Sequence, residues 1–337
     1  MLPAFDNWRA AARFSALLLV LLALPIINVG LGLPSRAEVY NGLRLAGGPY
    51  VKTRQQMFGT TGDIDVAFLG SSILNVAING DEVQRSFAAK FGPDVNVRMM
   101  GFVFQGYDMQ YVMARDLLEH RRVKMLVISF SGPRAIRDRP HVQLHNLLRW
   151  GEYPEMVAGR PLQERAAIYA SSVLDGPRQL LKRLRPERPI DAADDNRSLM
   201  VFDPPAARFD TPAPPIELTD GTRDEFTFGD PEITARQKHY ATLISQLAAE
   251  HHVKLVVLNI PTPEEFGEAK IWERTDWRPL LAGDSAVVAF RRADLFGAEP
   301  ASRFFKDSVH MTAEGQERFT RSFIPYLMSR YEELQDQ

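Results

Sequence analysis

Apolar runs of strand length alternate with stretches of helical spacing along much of the chain. Ile64–Leu69 is one such run; it stops at Gly70, and Ser71 and Ser72 follow at once. A run of this kind suits a strand buried on both faces. The small residues after it allow a sharp turn into a helix, whose first N–H groups point outward without intrahelical partners. Asp81–Phe91 reads as a helix that opens with acids, as its dipole favours, and ends at Gly92-Pro93. Val95–Met100 is a second strand, followed by Gly101 and Gly106. Tyr107–His120 has helical spacing, and Val123–Phe130 is a third strand.

The alternation then breaks. His141–Trp150 and Pro161–Leu184 keep helical spacing, but Pro186–Pro231 is rich in proline and acids, with Pro204-Pro205 and Pro214-Pro215. Such a composition forms neither a continuous helix nor a central strand. Residues 134–231 are therefore expected to be an insertion, either a disordered loop or a functional cap. Regular patterning resumes with a helix over Ile233–Glu250, strands over Val253–Ile260 and Ala286–Phe290, and a closing helix over Thr312–Tyr331. Strands alternating with helices imply a parallel sheet with right-handed crossovers. The expected fold is α/β: a three-layer α/β/α, flavodoxin-like domain over 63–335 with a core of about five parallel strands.

Ahead of that domain, Arg9 and Arg13 precede Phe14–Leu33, a charge-free stretch interrupted only by Ser15, Pro25 and Asn28. About 20 apolar residues span a bilayer. Arginines before the span hold the N-terminus in the cytoplasm and send the rest across. The expectation is a cytoplasmic segment at 1–13, a transmembrane helix at 14–33 set in the lipid bilayer, and a membrane-proximal linker at 34–62. The main domain then lies on the extracytoplasmic, periplasmic side. The competing reading is a cleaved signal peptide, for which the run is long and no Ala-x-Ala-like site follows cleanly.

Composition narrows the function classes. The 337 residues are 45% hydrophobic and 24% charged, which is ordinary for a globular chain, and the net charge of −2 gives no reason to expect a nucleic-acid partner. With no cysteine there is no disulfide framework, thiolate nucleophile or Cys-ligated zinc. Neither G-x-G-x-x-G nor G-x-x-x-x-G-K-S occurs, and no cofactor is expected. His141 and His145 share an i, i+4 face, but no third ligand follows at a recognisable spacing, so no metal is expected. His251-His252 ends a helix and suits a capping role. Trp150, Trp272 and Trp277 suit either a glycan cleft or ordinary packing.

The candidate chemistry lies at the two ends of the α/β region. Ser72 falls at the carboxyl end of the first strand, where open α/β sheets place their ligands. Phe305–Gly315 reads F-K-D-S-V-H-M-T-A-E-G, so Asp307 and His310 stand three apart just before the last helix. Serine catalysis needs a base within hydrogen-bond reach and a third group to orient the imidazole. Taken alone, Asp307 and His310 also suit a surface loop that caps the helix.

Together the two segments resemble the GDSL/SGNH hydrolase superfamily, over residues 60–135 and 233–335. The resemblance implies Ser72 as nucleophile, His310 as general base and Asp307 as its orienter. It also implies an oxyanion hole lined by the Ser72 N–H and a glycine after strand two, Gly106 or Gly101. The chain departs from the family at the third block, normally G-x-N-D, where it has Ser129-Phe130-Ser131-Gly132. One lost oxyanion donor costs about 10²–10³ in rate; Ser131 or Arg134 are candidates to replace it. Asn75, one helical turn beyond Ser72, suits either a substrate contact or a local backbone bond. With its N-terminal anchor and G-S-S, the layout resembles membrane-anchored proteins of envelope-polysaccharide O-acylation. These include the protein of teichoic acid D-alanylation and the accessory proteins of alginate and cellulose acetylation. That likeness implies a polysaccharide or acyl-donor substrate and a polytopic membrane-bound O-acyltransferase as partner. It leaves two functions open: a serine esterase or O-acyltransferase, and a non-catalytic scaffold of such an acyltransferase.

Overall fold

A computed structural model describes residues 7–30, 36–37, 40, 53–59, 61–101, 106–129, 157, 160–170, 235–263, 277–290, 295–307 and 309–335, without the side chains of 22, 24–30, 101 and 236. The chain divides into two compact units, Met1–Leu45 with Val142–Pro189, and Ala46–His141 with Ile190–Gln337.

In the first unit, helix α1 spans Trp8–Gly30. Asn7 caps it, its side-chain oxygen accepting from the Ala10 N–H at 2.9 Å. Residues 17–21 are apolar and exposed on every face of the helix. The expected span at 14–33 falls on α1 as far as Gly30, and residues 31–33 lie outside the described ones. Among the described residues no helix is long and apolar enough to cross a membrane. A second helix covers 162–170, inside the expected insertion, most of which lies outside the described residues.

The second unit is α/β. Strands β1 (Ile64–Gly70), β2 (Val97–Gly101), β3 (Val123–Ile128), β4 (Lys254–Asn259) and β5 (Ser285–Ala289) form one parallel sheet. Its order is β2-β1-β3-β4-β5, the order of a flavodoxin-like doubly wound sheet. Between strands run helices α2 (Ser72–Ala77), α3 (Gly80–Phe91), α4 (Tyr107–His120) and α5 (Ala235–Glu250); α6 (Ala301–Phe304) and α7 (Ala313–Gln335) follow β5.

Strands β1 and β4 are buried on both faces along their length, as their near-continuous apolar runs require, and β3 is too except at the exposed Lys124. Val66 and Phe68 of β1, Val127 of β3, Leu258 of β4 and Val288 of β5 turn toward Leu74 of α2, Phe87 of α3, and Phe319 and Phe323 of α7. Helices α4 and α5 pack on one another over the other face. Strand β2 begins at Val97 rather than Val95, because a side chain replaces strand pairing there. Gln84 of α3 donates to the Val95 carbonyl and accepts from the Val97 N–H, both at 2.8 Å.

Two polar ties, each anchored on a buried charged side chain, hold α7 across the amino ends of the strands. Asp65, inside the apolar run of β1, pairs with Lys124 at 2.8 Å and accepts from the Tyr331 hydroxyl. Lys254, only 4% exposed, reaches Glu333 at 2.8 Å and Asp284 at 3.0 Å. The turn out of α5 is closed by the backbone: His252 takes a left-handed φ of 55° and Val253 N–H donates to the Ala248 carbonyl.

Candidate active site

Strand β1 lies between β2 and β3, so the chain leaves it toward one side and returns on the other. The carboxyl ends of β1 and β3 mark the switch point of the sheet, the place where open α/β sheets bind their ligands. Gly70 ends β1 there, and it is a glycine for lack of room. A Cβ on it would lie 2.7 Å from Leu74 Cδ2 and 3.0 Å from Ser129 Oγ. That close approach lets α2 start immediately after the strand.

Ser71 is the N-cap of α2, with extended backbone and a side-chain oxygen 3.3 Å from the Ile73 N–H. Ser72 is therefore the first helical residue, where backbone N–H groups lack intrahelical acceptors. Its hydroxyl lies 2.9 Å from His310 Nε2. On the other side of the ring, His310 Nδ1 lies 2.8 Å from Asp307 Oδ2. The second carboxylate oxygen accepts from the Val309 and His310 backbone N–H groups at 2.9 and 2.7 Å. The carboxylate leaves one consistent tautomer: Nδ1–H donates to Asp307, and Nε2 accepts from the Ser72 hydroxyl. Partial burial works to raise the Asp307 pKa, but the hydrogen bonds from Val309 and His310 outweigh it and hold the carboxyl below its ordinary range.

The loop carrying this pair is tightly pinned. Phe305 and Met311 form an antiparallel bridge, the Lys306 N–H donates to the His310 carbonyl at 3.0 Å, and the Thr312 N–H to the Phe304 carbonyl at 2.8 Å. The Thr312 hydroxyl donates to the Arg303 carbonyl and accepts from the Gly315 N–H, capping α7. At Gly315 too a side chain does not fit, since its Cβ would drive into the Phe304 carbonyl.

Helices α2 and α7 are also joined directly. Gln316 Nε2 donates to the Asn75 and Ile78 carbonyls at 3.5 and 3.4 Å. The buried Thr320 hydroxyl accepts from the Asn79 N–H at 2.9 Å and donates to the Ala77 carbonyl at 3.3 Å. These bonds set the spacing between the serine helix and the helix behind His310. The Thr312 cap has a readable signal, a threonine directly before a helix; the bonds from Gln316 and Thr320 go to backbone and leave no sequence pattern.

No protein-family model matches the chain, and no curated protein matches it.

The remaining expected positions divide. Gly106 is the N-cap of α4, its carbonyl accepting from the Gln110 N–H at 3.0 Å. Gly101 ends β2 in register with Gly70. Asn75 is buried in α2, its carbonyl accepting from Gln316. Ser131 and Arg134, the expected replacements for the third-block asparagine, lie outside the described residues, as do His141, His145, Trp150 and Trp272. Trp277 is buried and packs edge-on against Tyr107 at 5.7 Å between ring centres, so it serves packing. Among the described residues no cluster of three metal-ligating side chains occurs.

Proposed function

We propose that the protein is an SGNH-type acyl esterase or O-acyltransferase acting on a cell-envelope polysaccharide. The observation that carries this reading is the unbroken relay from Ser72 Oγ through His310 to Asp307 at 2.9 and 2.8 Å. Imidazole held between a hydroxyl and an ionised carboxylate is the arrangement that activates a serine. It sits at the carboxyl edge of the sheet, at the switch point.

In the proposed reaction Ser72 Oγ attacks the acyl carbonyl carbon while its proton passes to His310 Nε2. Asp307 stabilises the imidazolium, and the Ser72 and Gly106 N–H groups face the developing oxyanion. Collapse breaks the bond to the leaving oxygen, which takes the proton from His310 and leaves an acyl-serine. An acceptor hydroxyl, from water or a sugar, then gives its proton to His310 and attacks the same carbon. The second collapse forms the new acid or ester and returns the proton to Ser72.

The proposal extends to placement. Five consecutive apolar residues of α1, Leu17–Leu21, are each at least 40% exposed. Successive residues turn by about 100° around a helix, so an apolar surface on every side suits lipid better than a one-sided protein groove. The reading puts α1 in the cytoplasmic membrane, the α/β unit on the periplasmic side, and a polytopic membrane-bound O-acyltransferase alongside as acyl source.

The test is covalent. A fluorophosphonate probe should label the full-length protein at Ser72, located by peptide mass spectrometry, and labelling should disappear in His310→Ala. A protein that is not labelled but still supports polymer acylation with Ser72→Ala is a scaffold, and the enzymatic reading is then wrong.

A further inference from the structure

Four charged side chains outside the relay close a ring around the stems of the loop that carries it. Arg303 of α6 grips Glu314 of α7 through two bonds, Nη2 to Oε1 at 2.7 Å and Nε to Oε2 at 2.8 Å, and its Nη1 also pairs with Glu299. Arg318 of α7 completes the circuit, with Nη2 3.1 Å from Glu314 and 3.3 Å from Glu299. The charges alternate, so each carboxylate meets two guanidinium groups. Beneath the ring lies the Phe304 side chain, with the Arg318 guanidinium 4.8 Å and that of Arg303 5.8 Å from its centre.

The position of the ring in the chain gives it a role. Glu299 and Arg303 precede the loop, and Glu314 and Arg318 follow it. The stems therefore cannot separate or rotate without breaking ion pairs, and the orientation of His310 depends on the stems. One exposed ion pair fixes little, but a closed network containing a bidentate Arg–carboxylate pair is the exception. The Arg303 hydrogen bond holds the Glu314 carboxyl below its ordinary range.

We propose that Glu299, Arg303, Glu314 and Arg318 are positioning residues that hold His310 toward Ser72 and make the reactivity of the serine depend on ionic strength. The proposal rests on the acyl-transfer reading for its consequence in rate, and on the ring alone for its consequence in geometry. The four side chains are between 35% and 45% exposed, and salt reaches them. Besides the Asp307 carboxylate, the loop is tied by backbone hydrogen bonds and by the Thr312 hydroxyl, uncharged contacts that added salt leaves in place.

The experiment uses the full-length protein and the double variant Glu299→Gln/Glu314→Gln, with two readouts. One is the rate of fluorophosphonate labelling at Ser72. The other is the ¹⁵N–¹H resonance of His310 Nδ1, which reports the bond to Asp307 without any reaction. Raising salt from about 10 mM to about 500 mM shortens the screening length from roughly 30 Å to under 5 Å. Wild type should then label about fivefold more slowly, a change of the size an ion-pair network contributes. The double variant should begin at the slow rate and ignore salt, with its thermal midpoint little changed. Arg303→Lys, which keeps the charge but loses the fork, should retain the salt response and part of the rate. Glu82→Gln, which breaks the exposed Glu82–Arg85 pair on α3, is the control and should change nothing. A double variant whose labelling and His310 resonance both follow salt as wild type does overturns the proposal. Wild type whose His310 resonance responds to salt while Ser72 never labels overturns the acyl-transfer reading and leaves the ring its positioning role.

Discussion

Ser72 Oγ and His310 Nε2 lie 2.9 Å apart although 238 positions separate them in the chain. Only a fold that brings the end of its first strand against the start of its last helix produces that distance. The proposed reaction makes the two residues one catalytic unit, and that reading has a kinetic signature.

Residues that act together in one step do not contribute independently. Ser72→Ala and His310→Ala should each lower acyl transfer by on the order of 10⁴–10⁶, and the double variant should be little worse than either. Asp307→Asn should also be severe, about 10⁴, because an amide favours the wrong imidazole tautomer. Steady-state hydrolysis of a small activated ester, with circular dichroism to verify folding, checks all four proteins. Losses that simply multiplied would mean that the 2.9 Å contact plays no part in turnover.

The relay was legible in the sequence because each half of it is local. Ser72 follows an apolar run and small turn residues, and Asp307 and His310 share one short loop. The alternation of runs and helical spacing also carried the parallel sheet, with strand ends displaced by a residue or two where side chains such as Gln84 replace strand pairing. What could not be read depends on pairing at a distance. Asp65 stands in an apolar run, and nothing nearby in sequence announces Lys124 and Tyr331. Gln316 donates to a backbone carbonyl 241 positions away, and backbone has no sequence signature. The ring of Glu299, Arg303, Glu314 and Arg318 reads as ordinary surface charge until α6 and α7 come together.

Asp307 gives a pH-dependent stability term with a definite sign. Hydrogen bonds hold its folded pKa below the ordinary carboxylate range. Its contribution is therefore complete above the unfolded value of about 3.9 and is lost as pH falls through the lower folded value. The melting-temperature gap between wild type and Asp307→Asn should stay constant from neutral pH to about pH 5, then close as the pH falls further. Thermal denaturation across that range measures it. A gap that widened toward acid would show the carboxyl to be raised instead.

Gly315→Ala tests the pedestal under His310. An added methyl at this position meets the Phe304 carbonyl, a backbone atom that cannot rotate away as a side-chain tip can. The cost should be about 1–3 kcal/mol, the range for forcing extra volume into a packed site. Because that carbonyl also accepts from the Thr312 N–H, the strain passes into the loop. Labelling at Ser72 should fall by more than the loss of folded protein accounts for. Denaturant melts and probe kinetics on the same samples separate the two effects; a variant that is destabilised but labels normally per folded molecule would detach the pedestal from the site.

The last prediction concerns α1. Its exposed Leu17–Leu21 surface has no polar side that would let the helix lie on water. Arg9 and Arg13 stand on the N-terminal side of the apolar run, which orients a span with that end in the cytoplasm. Full-length protein should remain with the membrane after alkaline carbonate washing, and a C-terminal alkaline phosphatase fusion, active only outside the cytoplasm, should be active. Replacing Leu18 and Leu21 with arginine should cost about 2.5–3.5 kcal/mol of insertion free energy per residue near the centre of a span. That is enough to release the chain or leave the fusion inactive. The same pair of replacements should leave labelling of Ser72 in detergent unchanged, because the relay lies entirely within the α/β unit. Mature protein that begins after residue 33 and fractionates as soluble would identify the segment as a cleaved signal. Extracytoplasmic placement would survive that outcome, and attachment to the bilayer would not.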